Sequence, residues 1–133
     1  MAERTRGLLD TSVVIDLDRI DPDGLPEETA IAAITLAELA AGPHATRDRE
    51  ESARRLDRLM WAASTWDPLP FDVPAARAYG RLFATAAASG RRGRRRLADL
   101  LIAATAAANG LPLYTRNSAD FDGLGGTVEV ISI

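Results

Sequence analysis

An α/β fold built on a parallel sheet is what this sequence predicts, and three observations predict it. Short apolar runs without polar alternation stand at 7–10, 29–34 and 111–115, the pattern of strands buried on both faces. Segments of helical periodicity separate them, the alternation that produces crossover connections. The third observation is 97–110, LADLLIAATAAANG, helical in length and alanine content and apolar or small at nearly every position through Ala108. A helix that is hydrophobic all round is buried on all sides. The 133 residues read as one domain, 1–133, long enough to bury a real core.

Taken in order, residues 1–6 are a loose start. Gly7-Leu8-Leu9-Asp10 is a first strand ending in an acid. Thr11 and Ser12 then supply helix-start chemistry, and Val13, Val14, Ile15 and Leu17 carry a first helix. Residues 16–26 hold Asp16, Asp18, Asp21, Asp23 and two prolines and read as a loop. Their spacing superficially resembles a calcium loop, but Ile20 falls where a ligand is needed and Asp21 where the glycine is needed, which excludes it. Thr29–Ile34 is a second strand. Thr35 comes next as N-cap of a short helix that stops at Gly42-Pro43, and Thr35 with Glu38 spells a capping box.

Residues 47–64 form an amphipathic helix, with Leu56, Leu59, Met60 and Ala63 on the buried face. Arg49, Glu50, Glu51, Arg54, Arg55 and Arg58 make up much of its solvated side. Thr65–Phe71 gives a third, short strand. Asp72 caps a helix whose core stripe is Val73, Ala76, Tyr79, Phe83 and Ala87. Residues 89–96, SGRRGRRR, are a glycine-broken basic loop leading into the apolar helix. Leu111–Thr115 is a fourth strand, 123–127 a turn, and Val128–Ile133 an edge strand.

Composition narrows the chemistry. The chain has no cysteine and one histidine, which excludes disulfides, thiolate metal sites and a histidine-based zinc site. A metal ion must therefore be held by oxygen, which points to Mg²⁺ or Mn²⁺. The net charge of −3 is not that of a general nucleic-acid binder, and all the basic charge is arginine. No apolar run reaches membrane-spanning length and no signal-peptide core stands at the N-terminus, so the expected location is the cytoplasm, without membrane contact.

Asp99 lies near the start of the apolar helix, with no basic residue in the rest of that segment. A buried carboxylate needs a partner: an arginine from the run upstream, such as Arg95 one turn away, or a metal ion shared with other acids. The plainer reading is an acid in a first turn, favoured by the helix dipole. Asp10, Glu38 and Asp120 all come after predicted strands, where sites form at the carboxyl edge of a parallel sheet. Several carboxylates in one pocket repel one another unless a divalent cation is present. Such a cage suits Mg²⁺, which activates water and clamps a phosphate.

These segments, Leu8-Leu9-Asp10-Thr11-Ser12, Thr35-Leu36-Ala37-Glu38-Leu39, residues 98–106 and Thr115–Phe121, together resemble the PIN-domain ribonucleases, and more narrowly the VapC-type toxins of bacterial toxin–antitoxin pairs. The resemblance covers essentially the whole chain, in the family's order. It implies a PIN-like α/β/α sandwich with a central, mainly parallel sheet of four to five strands. It also implies metal-binding catalytic acids at Asp10, Glu38, Asp99 and Asp120, with Asp122 as a competitor for the fourth place. Thr11, Ser12, Thr115 and Asn117 match positions that support the acids by hydrogen bonding. The activity implied by the resemblance is Mg²⁺-dependent cleavage of structured RNA such as transfer or ribosomal RNA, with Mn²⁺ able to substitute. The same resemblance implies a homodimer and a cognate VapB-type antitoxin.

Each residue has a plainer alternative: Asp10 and Glu38 as caps, Asp120 as a loop acid, Asn117 as a turn residue. Arg91, Arg92, Arg94, Arg95 and Arg96 read as phosphate anchors beside an acidic pocket, or as a solvated connector. His44 is a weak general-base candidate. A phospho-receiver domain places similar acids on a similar sheet but uses a lysine, and this chain has none. A catalytically silent PIN fold acting as a binding module is the other alternative.

Overall fold

The computed structural model describes residues 5–89 and 97–133. At its centre is a parallel sheet of β1 (Arg6–Leu9), β2 (Glu28–Ile31), β3 (Leu113–Thr115) and β4 (Val130–Ser132), in the order β2-β1-β3-β4. The register sets Ala30, Leu8, Leu113 and Val130 side by side, and one residue on, Ile31, Leu9, Tyr114 and Ile131. Successive strand residues point to opposite faces. The first row therefore packs into a core with Ala78, Leu82, Ile102 and Phe121, and the second into another with Val13, Val14, Leu39 and Ala62.

Helices cover both faces. α1 (Thr11–Ile15) and α3 (Arg49–Thr65) contribute to the second core, α4 (Val73–Ser89) and α5 (Leu97–Ala108) to the first. α2 (Ala33–Ala41) stands at the boundary and sends Ile34 to one core and Leu39 to the other. This is the expected α/β/α sandwich, with four strands among the described residues. No helix among those residues is long and apolar enough to cross a membrane.

Several local expectations are corrected. β2 ends at Ile31 and α2 opens at Ala33, so the N-cap is Ala32 and not Thr35. Ala32 bridges Leu69 in parallel fashion, and the Ala33 N–H donates to the Leu69 carbonyl at 2.8 Å. A neighbouring segment thus satisfies a donor that would otherwise call for a capping side chain. That bridge is what remains of the strand expected over Thr65–Phe71. Thr35 lies inside the helix and is fully buried, so the capping box with Glu38 does not form.

α3 is rotated from its expected setting. Met60 is 64% exposed and Leu56 48%, while Ala62 is buried and Leu59, Glu51, Arg55 and Arg58 are half-buried. The reason is polar anchoring. Arg55 donates to the Gly42 carbonyl at 2.9 Å, and the Ser52 hydroxyl donates to the Pro43 carbonyl at 2.8 Å. These bonds tie the first turns of α3 to the 3₁₀ turn Gly42–Ala45.

In α4, Val73, Ala76, Phe83 and Ala87 are exposed and Tyr79 is half-buried; the buried stripe is Ala75, Ala78, Leu82 and Ala86. Alanines let α4 lie close against the alanine-rich α5, and the larger rings remain outside, Tyr79 and Phe83 with centroids 6.2 Å apart. In α5 the middle is buried from Ile102 to Ala106, whereas Leu97 is exposed. The helix closes at Gly110, whose φ of +64° suits a residue without a Cβ.

Candidate active site

Strand order decides where a site can form. β2 lies on one side of β1 and β3 on the other, so the connections leaving the sheet's carboxyl edge diverge there, and a crevice opens at this switch. The apolar rows end at this edge, and the next residues are Asp10 after β1 and Thr115 at the end of β3.

Asp10 is buried and caps α1, its Oδ1 accepting from the Val13 N–H at 3.2 Å. The Ser12 hydroxyl donates to the same oxygen. The Thr115 hydroxyl donates to Oδ2 at 2.6 Å. Each of these hydroxyls accepts in turn from the chain leaving β3: Ser12 Oγ from the Arg116 N–H at 3.1 Å, Thr115 Oγ1 from the Asn117 N–H at 2.9 Å. A hydroxyl that accepts a backbone donor has its own proton free for the carboxylate. Asp10 is therefore clamped on both oxygens between two strands. Capping and site membership coexist in this residue.

Glu38 lies one turn beyond Thr35 on α2 and accepts from the Thr11 hydroxyl at 2.6 Å. The Thr11 and Thr35 hydroxyls stand 3.1 Å apart. With the Thr11 proton committed to the carboxylate, Thr35 is the donor between them. Sequence reasoning missed this role of Thr35. Its position three residues before Glu38 signalled a cap, whereas the same spacing also places both on one helix face.

Asp10, Glu38, Asp99 and Asp120 line one cavity of about 230 Å³, together with Thr11, Ser12 and Asn117. Asp99 reaches it from the first turn of α5 and Asp120 from the 3₁₀ turn Ser118–Phe121. Asp122 is exposed and lies outside the lining, so Asp120 is the acid brought to the other three. Ile15 and Ile102 close the wall with apolar surface. His44 is exposed and does not line it. Arg91, Arg92, Arg94, Arg95 and Arg96 lie outside the described residues.

The donor set has the chemistry of a hard divalent cation: carboxylate oxygens from separate segments, with hydroxyls behind two of them. Among the described residues no three acids are drawn together into a tight ligand group. The four carboxylates line one cavity, and like charges sharing a pocket disfavour one another unless a cation joins them.

The sequence pattern of the PIN domain matches residues 7–125. The chain is 40% identical over 132 residues to ribonuclease VapC5 of Mycobacterium tuberculosis, covering 96% of this chain and 95% of that one. It is 36% identical over 131 residues to the VapC ribonuclease Y4jK of Sinorhizobium fredii, covering 89% and 91%. The fold superposes on the crystal structure of VapBC-5, a toxin–antitoxin family member from Mycobacterium tuberculosis, with a TM-score of 0.84 at 40% identity, covering 97% of this chain and 99% of that one. With its acids gathered at the switch of a four-stranded parallel sheet and these similarities along its length, the chain belongs to the PIN-domain family and, within it, to the VapC type.

Proposed function

We propose that this protein is a Mg²⁺-dependent endoribonuclease, the toxin of a VapBC-type pair. The observation that carries the reading is the meeting of Asp10, Glu38, Asp99 and Asp120 around one cavity from distant parts of the chain. Relatives named as VapC ribonucleases support the ribonuclease reading. The chemistry is hydrolysis of a phosphodiester: water adds to phosphorus, the bond to the ribose oxygen breaks, and that oxygen leaves with a proton.

Asp10, Glu38 and Asp99 hold the cation, with Asp120 assisting; Mn²⁺ substitutes for Mg²⁺. When bound, the cation supplies Lewis-acid charge that lowers the pKa of water and offsets the charge developing on the phosphate. The chain's own residues orient the carboxylates: Ser12 and Thr115 fix both oxygens of Asp10, Thr11 fixes Glu38, and Asn117 holds Thr115. Ile15 and Ile102 limit water on one wall. No protein nucleophile is needed.

The substrate is structured cellular RNA, transfer or ribosomal, whose cleavage stops translation in the cytoplasm. Arg91, Arg92, Arg94, Arg95 and Arg96 add phosphate contacts. A VapB-type antitoxin, the partner type found with the solved relatives, blocks the cavity, and the toxin acts as a homodimer. The test is cleavage of a cellular RNA pool. Cutting is expected with Mg²⁺ or Mn²⁺ and is abolished by chelator. Asp99→Asn should lower the rate by roughly a thousandfold, about 4 kcal/mol of barrier, without changing the fold. Equal cutting by this variant, or cutting in chelator, would falsify the assignment.

A further inference from the structure

Beside the acidic cavity lies a second one of about 360 Å³. Thr11, Ile15 and Glu38 line both, and Glu51, Arg55 and Arg58 of α3 line the far side of the second. The rotation of α3 is what brings these side chains here. Arg55 is held in place, its Nε donating to Glu51 at 3.0 Å and its NH1 to the Gly42 carbonyl at 2.9 Å. Hydrogen bonds from Arg54 and then Arg55 hold the Glu51 carboxyl below its usual range, so this acid is already committed to those two arginines.

Arg58 differs. It is half-buried, lines the cavity, and makes no hydrogen bond or ion pair among the described residues. With Glu51 committed to Arg54 and Arg55 and Glu38 bonded to Thr11, no carboxylate is bonded to this guanidinium, and its donors are open to an anion entering the cavity. Its planar fork suits phosphate oxygens. Phosphate also has to enter a pocket of four carboxylates on a chain of net charge −3, which repels it away from the ion itself.

We propose that Arg58 is a phosphate-binding residue that holds the RNA backbone at a phosphate neighbouring the one cleaved. The shared wall of Thr11, Ile15 and Glu38 lets one strand run from the acids to α3, and the fixed Arg55–Glu51 pair borders the path. This rests on the ribonuclease reading of the acidic cavity. A carboxylate of a partner protein is the competing anion. RNA is favoured because the two cavities share a wall that includes Glu38, one of the acids that would act on it.

The test compares the full-length parent, Arg58→Gln and Arg58→Lys. Binding of a short fluorescein-labelled single-stranded RNA of mixed sequence is measured by anisotropy, with each protein also carrying Asp10→Asn so that nothing is cut. Arg58→Gln should weaken binding about tenfold, as for loss of one charge-assisted contact. It should also reduce the slope of log affinity against log salt by about 0.7. Arg58→Lys should keep the slope. In the cleaving background, Arg58→Gln should raise KM with kcat unchanged, and its melting temperature should match the parent's, which a structural role would not give.

If Arg58→Gln keeps the parent's RNA affinity and salt slope, the proposal is overturned and the arginine faces a protein carboxylate instead, even where the parent cleaves RNA normally. If the parent binds RNA and Arg58→Gln lowers the slope as expected, but the parent does not cleave with Mg²⁺ or Mn²⁺, the ribonuclease reading falls and the phosphate contact stands. Failure of the parent to bind RNA overturns both.

Discussion

Glu38 separates what a residue's neighbours in sequence suggest from what its neighbours in space do. Its spacing from Thr35 spells a helix cap, yet the cap is Ala32, and Glu38 accepts from Thr11 across 27 positions of sequence. Because the carboxylate caps nothing, its charge can be removed without touching the helix start. In Glu38→Gln the amide oxygen still accepts the Thr11 proton, while the neutral group is a poor ligand for Mg²⁺. One repelling charge is also removed from the cavity. We expect a melting temperature equal to or above the parent's without metal, weaker Mg²⁺ binding by calorimetry, and cleavage lowered by orders of magnitude. Cleavage at the parent's rate would leave the ion to the three aspartates.

Among the elements, α4 shows how far periodicity alone reaches. Its helical nature and its Asp72 start are legible in the sequence; the Asp72 carboxylate accepts from the Ala75 N–H at 3.1 Å. The buried stripe is not legible, because two stripes compete: one carries rings and valine, the other alanines and Leu82. The alanine stripe is the one packed in a common core with the alanines of α5, where small side chains let two helices approach closely. Two substitutions test this by urea denaturation. Leu82→Ala should cost about 2–5 kcal/mol, while Phe83→Ala, one residue along and 57% exposed, should stay within about 0.5 kcal/mol. The reverse order would mean the helix is turned the other way.

For the molecule entire, four like charges around one cavity couple metal binding to stability. An ion that binds only the folded chain stabilises it by about 2.7 kcal/mol at a hundred times its dissociation constant. Thermal melting with and without Mg²⁺ should therefore show a rise with metal that disappears in Asp10→Asn. Asparagine keeps the N-cap of α1, so loss of the rise reports the charge and not a broken fold. An equal rise in both proteins would place the ion elsewhere.

The fold class, the alternation of strands and helices along most of the chain, and the candidate acids at Asp10, Glu38, Asp99 and Asp120 can be read from the amino-acid sequence, whereas the strand order and the reduction of Thr65–Phe71 to a single bridge cannot. The first three are legible because burial on both faces leaves an uninterrupted apolar run, and because an acid just after a strand, or inside an otherwise apolar helix as at Asp99, stands out against it. Only three-dimensional packing settles the rotation of α3 and α4, the start of α2 at Ala33, the pairing of Thr11 with Glu38, and the choice of Asp120 over Asp122 at the cavity. The physical reason is common to all four. A helix has several faces of similar local merit, and a strand end several neighbouring acids. The choice falls to partners remote in sequence: the Leu69 carbonyl, the Gly42 turn and the alanines of α5.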